Sequence, residues 1–397
     1  MSPFGALKEL IGRFCRSELV KVFSLSSVAT LVKMLTGLIS TKVVAVLIGP
    51  GGVALLGQLN NVVYIVQYLA SGAINNGVVK YVSEHKGSVG KVRTLLTNAL
   101  LVTVVCSLAC GTAMIACHGR LSRWIMLSHE YGYIFIVFGV TVILYAFNML
   151  LLSIVNGYRE YKMFIRINVA NSLAGLVFAV VLTLLYGLPG ALIGATTYQS
   201  AVFFVTLYMV RRKPWARWSY FRGRIDRSII RNYLKYALMT LVSIGTMPVA
   251  QILIRRYIML DLSELEAGWW EAMNRISNIE IPEPNEVRRE IGKAFKVIIP
   301  LLLTGFVLVY LCRFLIIRIL FTSEFLPMAK LFGWQMGSDL FKIGCYILTY
   351  VMIAKARTVV YVTTEIVFTI IYIGLACQLM QTSAGIIGVT QAGMAAY

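Results

Sequence analysis

The sequence predicts an all-α polytopic membrane protein, and three observations predict it. The composition is 58% hydrophobic with only 14% charged residues over 397 positions, where a soluble chain carries about 25% charged residues. Apolar runs of about 20 residues or more, enough to cross a hydrocarbon core of roughly 30 Å, recur along the chain. The connections alternate between basic and base-poor, as in a chain that passes back and forth through a bilayer.

The first two runs, 22–48 and 53–79, are joined by Gly49-Pro50-Gly51-Gly52, a string that permits little but a tight turn. They form a transmembrane hairpin. Further spans are expected at 94–117, 132–156, 164–186, 189–210, 234–254, 297–321, 327–354 and 358–380, with a last apolar stretch at 383–397. One set of connections is basic: the N-terminal segment, then Lys80, Lys86, Lys91 and Arg93, then Arg159, Lys162 and Arg166, then 211–235, then Lys355 and Arg357. The other set is short, acidic or poor in base: 49–52, 118–131, 187–190, the stretch with Asp261, Glu264 and Glu266, and 380–384. The positive-inside rule makes the first set cytoplasmic and puts the N-terminus inside. It also absorbs most of the net charge of +20, which in a soluble chain would point to nucleic acid. The first residues (Lys8, Glu9, Arg13, Arg16, Glu18, Lys21) are charged and amphipathic, so no cleavable signal peptide is expected.

The basic linker divides the chain into an N-terminal six-helix bundle at 1–210, a cytoplasmic connection at 211–233 and a C-terminal bundle at 234–397. The linker reads as a solvated loop that touches anionic lipid heads. The run Ala54-Leu55-Leu56-Gly57-Gln58-Leu59-Asn60 has a faint echo in Gly268-Trp269-Trp270-Glu271-Ala272-Met273-Asn274, at the same place in the second half. Repeated halves are a transporter architecture.

The second half breaks the pattern. Residues 262–281 hold four Glu and an Arg, too much charge for a lipid-facing span, and Pro282 and Pro284 end any helix there. Either an apolar piece is missing after Asn278, or this crossing is not made and the later helices are inverted. The last apolar stretch stops with the chain, so the C-terminal bundle is expected to be incomplete.

Charge inside the spans is the informative signal, since a lysine near mid-bilayer costs about 2.5–3.5 kcal/mol on insertion scales. Lys33 and Lys42 lie nine residues apart, on opposite sides of a straight helix; a bend at Gly37 would bring both to one cavity. Lys42 either lines that cavity or snorkels to the outer interface. Asp339 and Lys342, at i and i+3, can pair on one face, as a local ion pair or as a coupling site. Glu365 sits alone in an apolar run, where an unpaired carboxylate holds its proton near neutral pH; it is the candidate proton-coupling group, unless a lysine elsewhere pairs it. Arg255 and Arg256 end the seventh span near the outer interface, and Arg275 lies on the defective helix. Gln58, Asn60, Asn61, Asn75 and Asn76 either glue helices together or contact sugar hydroxyls, which require donor and acceptor together.

Catalytic and metal constellations are missing from the sequence: no P-loop, no zinc spacing, no paired carboxylates on an aqueous loop. His85, His118 and His129 are far apart, and Cys106 and Cys110 share a helix face without further ligands. No cofactor is expected, nor an ATP-driven pump.

Four stretches carry a resemblance: LVKMLTGLISTKVVAVLIGPGGVALLGQ near the start, GAINNGVVKY at 72–81, GYREY at 157–161, and 339–365 with its glutamate. Here the chain resembles the Wzx-type polysaccharide flippases, the O-antigen and lipid III flippases of the MOP superfamily. The resemblance implies two six-helix bundles of MATE-like fold around a cationic cavity that opens to either side in turn. It implies an undecaprenyl-pyrophosphate-linked oligosaccharide as cargo, moved to the periplasmic leaflet with ion coupling in the bacterial inner membrane, and work beside a polysaccharide polymerase and a chain-length regulator. Substrate-binding groups would then be Lys33, Lys42, Gln58, Asn60, Asn61, Asn75, Asn76, Arg275 and Lys342, with Asp339 and Glu365 in ion coupling. The rival readings are a drug or cation exporter of the same superfamily, which favours acidic cavity groups, and a membrane enzyme of polysaccharide assembly, which needs a periplasmic catalytic loop.

Overall fold

The structure, a computed structural model, describes residues 18–277, 303–354, 358–382 and 385–396. Helix α1 (Glu18–Ala70) is two helices folded at Gly49, whose φ of 64° and ψ of −175° leave the helical region before Pro50 restarts it. Positive φ is free of steric cost only for glycine, so the GPGG turn is built where the sequence places it. After a turn at 71–74 come α2 (Asn75–His85), α3 (Val89–Ala116), the short α4 (His118–Ile125) and α5 (Gly132–Gly157). Helix α6 (Tyr161–Val210) repeats the hairpin device at Gly187, φ 60°, with Pro189 inside.

The second half begins with α7 (Arg227–Asp261) and α8 (Glu264–Ser277). An apolar helix α9 (Leu303–Leu311) turns by 69° into α10 (Arg313–Leu320). A 3-10 segment at Ser323–Leu331 leads to α11 (Phe332–Ala354), α12 (Thr358–Met380) and α13 (Ile386–Ala396). Among the described residues, five helices are long and apolar enough to cross a membrane, six if α9 and α10 form one bent span, and α1 and α6 are 53 and 50 residues long. The protein is a multi-pass membrane protein, and its exposed apolar side chains, such as Leu108, Leu184, Leu185, Phe204 and Ile370, face lipid that is as apolar as they are.

Three expectations change. The second arm of the first hairpin ends at Ala70, because Gly72 at φ 69° turns the chain there; Asn75, Asn76 and Lys80 belong to the separate α2. No bend occurs at Gly37, since Gly49 is the one non-helical residue within α1. The stretch after Asp261 does form a helix, α8, whose central carboxylate is buried against arginines rather than facing lipid. The missing apolar piece after Asn278, and the crossing it would make, fall outside the described residues.

Two ends of the helices can be told apart. At one, Pro50, Met126, Tyr131, Leu188 and Glu264 line a common depression, and the indole of Trp269 donates to the carbonyl of Glu324 at 2.9 Å; this is the turn face. Because Glu264 and Glu324 both lie there, the helices beyond α8 are not inverted. At the other end, the basic face, the linker docks instead of trailing in solvent. Buried Trp215 stacks on Tyr158 at 5.7 Å and donates to Glu160 at 3.2 Å, and Lys213 pairs with the same carboxylate at 2.6 Å. Burial, with Tyr220 and Glu160 nearby, pushes the Tyr158 hydroxyl up to about 12. Asn98 of α3 holds the carbonyl of Arg224 and the N–H of Asp226, at 3.0 and 2.9 Å. Arg211, Arg212, Arg217, Arg222 and Arg224 stay exposed around this anchor.

The helices up to Val210 pack mainly among themselves, as do those from Arg227 onward. The two groups meet mainly through α1, α7 and α8.

Candidate functional site

The seam between the two groups is made by backbone approach. A Cβ on Gly268 of α8 would lie 2.1 Å from the carbonyl oxygen of Pro50, so only glycine lets the two chains cross there. One turn further in, a Cβ on Gly57 would lie 2.3 Å from Cδ of Glu271. Gly57 and Glu271 hold the same position in the two runs that echo one another in sequence. The echo is therefore a contact: equivalent residues of the two halves face each other across the seam.

Glu271 does not lie there unpaired. Its Oε2 accepts from Nη2 of Arg255, and its Oε1 accepts from Nε of Arg275 at 3.1 Å, one helical turn away. Arg255, fully buried, also donates through Nη1 to Oε1 of Gln58 at 3.0 Å, and the Gln58 amide in turn donates to the Ile252 carbonyl at 3.1 Å. Its guanidinium lies 5.3 Å from the Trp270 ring centroid, within cation–π range. Side-chain exposure falls from 22% at Arg275 to 11% at Glu271 and 1% at Arg255. Two cations thus share one carboxylate, leaving a net positive charge in a place where charge is costly.

Two more cations tie the groups at the turn face. Lys42 donates to the carbonyls of Phe321 and, at 3.1 Å, of Arg318, at the C-terminus of α10, where the helix dipole favours a cation. Arg256 donates to the carbonyl of Trp124 and lies over its ring.

The sequence-predicted residues are only partly brought together. Gln58 and Arg275 enter the seam network, and half-buried Asn61 adjoins it on α1. Lys33 is exposed, on the opposite side of α1 from Lys42, and Asn60 is exposed. Asn75 donates to Ser71 Oγ at 3.3 Å, and Asn76 is exposed, both on α2 at the basic face. Asp339 and Lys342 lie half-buried beside one another on α11, with Gln335 donating to Asp339 at 3.2 Å. Glu365 is half-buried on α12, opposite Thr246 of α7. Arg255 and Glu271 were not among the predicted site residues. The signal for Glu271 was its i, i+4 spacing to Arg275; Arg255 had only its place at the end of an apolar run.

The sequence profile of the polysaccharide biosynthesis protein family matches residues 19–279. The chain belongs to this family. Among characterised relatives, the lipid III flippases of Escherichia coli K12 and Shigella flexneri are each 26% identical over 399 residues, covering 96% of this chain and 95% of theirs. The fold resembles that of an inward-facing multidrug resistance MATE transporter of the MOP superfamily, with a TM-score of 0.77 at 13% identity over 92% of this chain and 95% of the other. A MATE transporter bound to MaD3S gives 0.67 at 13% identity over 96% and 93%. The resemblance read from the four stretches is borne out, and this polysaccharide biosynthesis protein has the MOP transporter fold.

Proposed function

We propose that the protein is a flippase for polyprenyl-pyrophosphate-linked oligosaccharides, a transporter and not an enzyme. The cargo is an O-antigen repeat unit or lipid III, taken from the cytoplasmic to the periplasmic leaflet of a bacterial inner membrane. The observation that carries this is the seam itself: two arginines around one carboxylate, in a family of polysaccharide biosynthesis, with relatives that are lipid III flippases over nearly their whole length. A net positive interior suits an anionic headgroup and opposes a cationic drug. The basic face is cytoplasmic by its exposed arginines, which puts the N-terminus inside and the turn face in the periplasm. The helices 18–210 and 227–396 act as two bundles that rock about the seam, closed here at the turn face.

In this reading Arg275, Lys33 and Lys342 attract the pyrophosphate, while Asn60, Asn61, Asn75 and Asn76 contact sugars. Lys42 and Gln58 hold the bundles together in this conformation and reach cargo only in the other one. Asp339 and Glu365 carry the coupling ion. The test is complementation of a flippase-null strain: surface polysaccharide restored by the wild-type chain and lost with Arg275→Ala at equal expression supports the reading. Normal glycan export with Arg275→Ala, Lys33→Ala and Lys342→Ala would sink the site assignments.

A further inference from the structure

The seam contains more donors than its acceptors can satisfy. Nε of Arg255, Nε1 of Trp270 and Nδ2 of Asn274 are buried and have no hydrogen-bond partner among the described residues, and Nδ2 of Asn61 across the seam shares this state. All four are donors. Buried donors without acceptors are costly, and two of them, Nε of the guanidinium itself and Nε1 of the Trp270 ring that lies against it, are chemically a site for an oxyanion. Through Gln58, the N-terminal bundle takes up one of the guanidinium's N–H groups. When that bundle swings away, Nη1 joins Nε in lacking an acceptor, while Nη2 stays on Glu271 within the C-terminal bundle.

We propose that Arg255, with the Trp270 indole, forms a second anion site, shut in this conformation and uncovered toward the turn face when the bundles part. It rests on the flippase reading and deepens it. Arg275, the more exposed arginine, meets the pyrophosphate from the cytoplasmic side; Arg255 receives it on the periplasmic side; Glu271 between them bonds whichever guanidinium is not loaded. The headgroup passes one helical turn along α8 without entering a region of uncompensated charge.

Two measurements on the full-length chain test this. In a form with its seven native cysteines replaced, Met259→Cys, one turn beyond Arg255 on α7, is reacted with an impermeant maleimide from the turn face. Gln58→Ala should raise the labelling rate about tenfold, the effect of one lost charge-assisted hydrogen bond on the closed state, and an unchanged rate overturns the gating part. The second measurement is translocation of a fluorescent polyprenyl-pyrophosphate oligosaccharide in proteoliposomes. The double variant Arg255→Met/Glu271→Leu keeps the buried part of the seam packed with apolar side chains and leaves the more exposed Arg275 as its remaining charge; monodispersity on gel filtration checks its fold. It should translocate about tenfold more slowly or worse, with Arg255→Lys intermediate. Wild-type rates in the double variant overturn this proposal alone, because a structural ion pair is replaceable by apolar packing. No translocation by the wild-type chain overturns both this proposal and the cargo reading.

Discussion

Glu271 pairs with two guanidinium groups at once, so its loss strands both. Removing one partner of a buried ion pair costs about 3–5 kcal/mol; Glu271→Leu should therefore lower the melting temperature sharply, and adding Arg255→Met should restore most of it. Recovery would be absent if Arg255 were held mainly by Gln58 and Trp270. Lys42→Met removes a cation from the carbonyl end of α10 and should cost about 1 kcal/mol, read as a modest melting shift with no change in secondary structure. Of these residues, the sequence marks the Glu271–Arg275 pair by spacing. It does not mark Lys42 with its carbonyls, 276 and 279 positions away, because backbone acceptors carry no side-chain signature.

Helix crossings set what the seam can do. At Gly268 any side chain must displace the carbonyl of Pro50, and Gly268→Leu should cost about 1–3 kcal/mol by overpacking while prising α8 from α1. Spin labels at Glu130→Cys and Leu265→Cys, on the two sides of the turn face, should then separate; an unchanged distance would show that this crossing does not hold the face closed. On the basic face, Trp215→Ala should cost about 3–5 kcal/mol and expose the linker to protease. The Tyr158 hydroxyl is held neutral by burial, so the stabilisation it gives is whole below its ordinary value near 10 and fades as pH rises to about 12; linker proteolysis should accelerate across that window alone. The hairpins were legible because Gly-Pro strings have one conformational use. The fate of 262–277 was not, since its glutamates look unfit for lipid until Arg255, on another helix, is brought beside Glu271.

At the scale of the whole molecule, the echo between 54–60 and 268–274 was the faintest signal in the sequence and the most consequential in space. It places equivalent residues at the contact of the two groups, as expected when two like bundles meet around a common axis. The all-helical, many-span architecture was readable from composition and charge alternation, because lipid admits so few alternatives. The meeting point of the two helix groups was not, because it depends on helix crossings between residues about 200 positions apart. In the flippase reading, the seam's positive charge is what moves an anionic lipid. The most direct measurement is initial translocation rate of a polyprenyl-pyrophosphate oligosaccharide in proteoliposomes bearing wild type, Arg275→Lys or Arg275→Gln. Charge-dependent transport predicts a rate kept within a few-fold by lysine and reduced about tenfold or more by glutamine; equal rates for all three would contradict it.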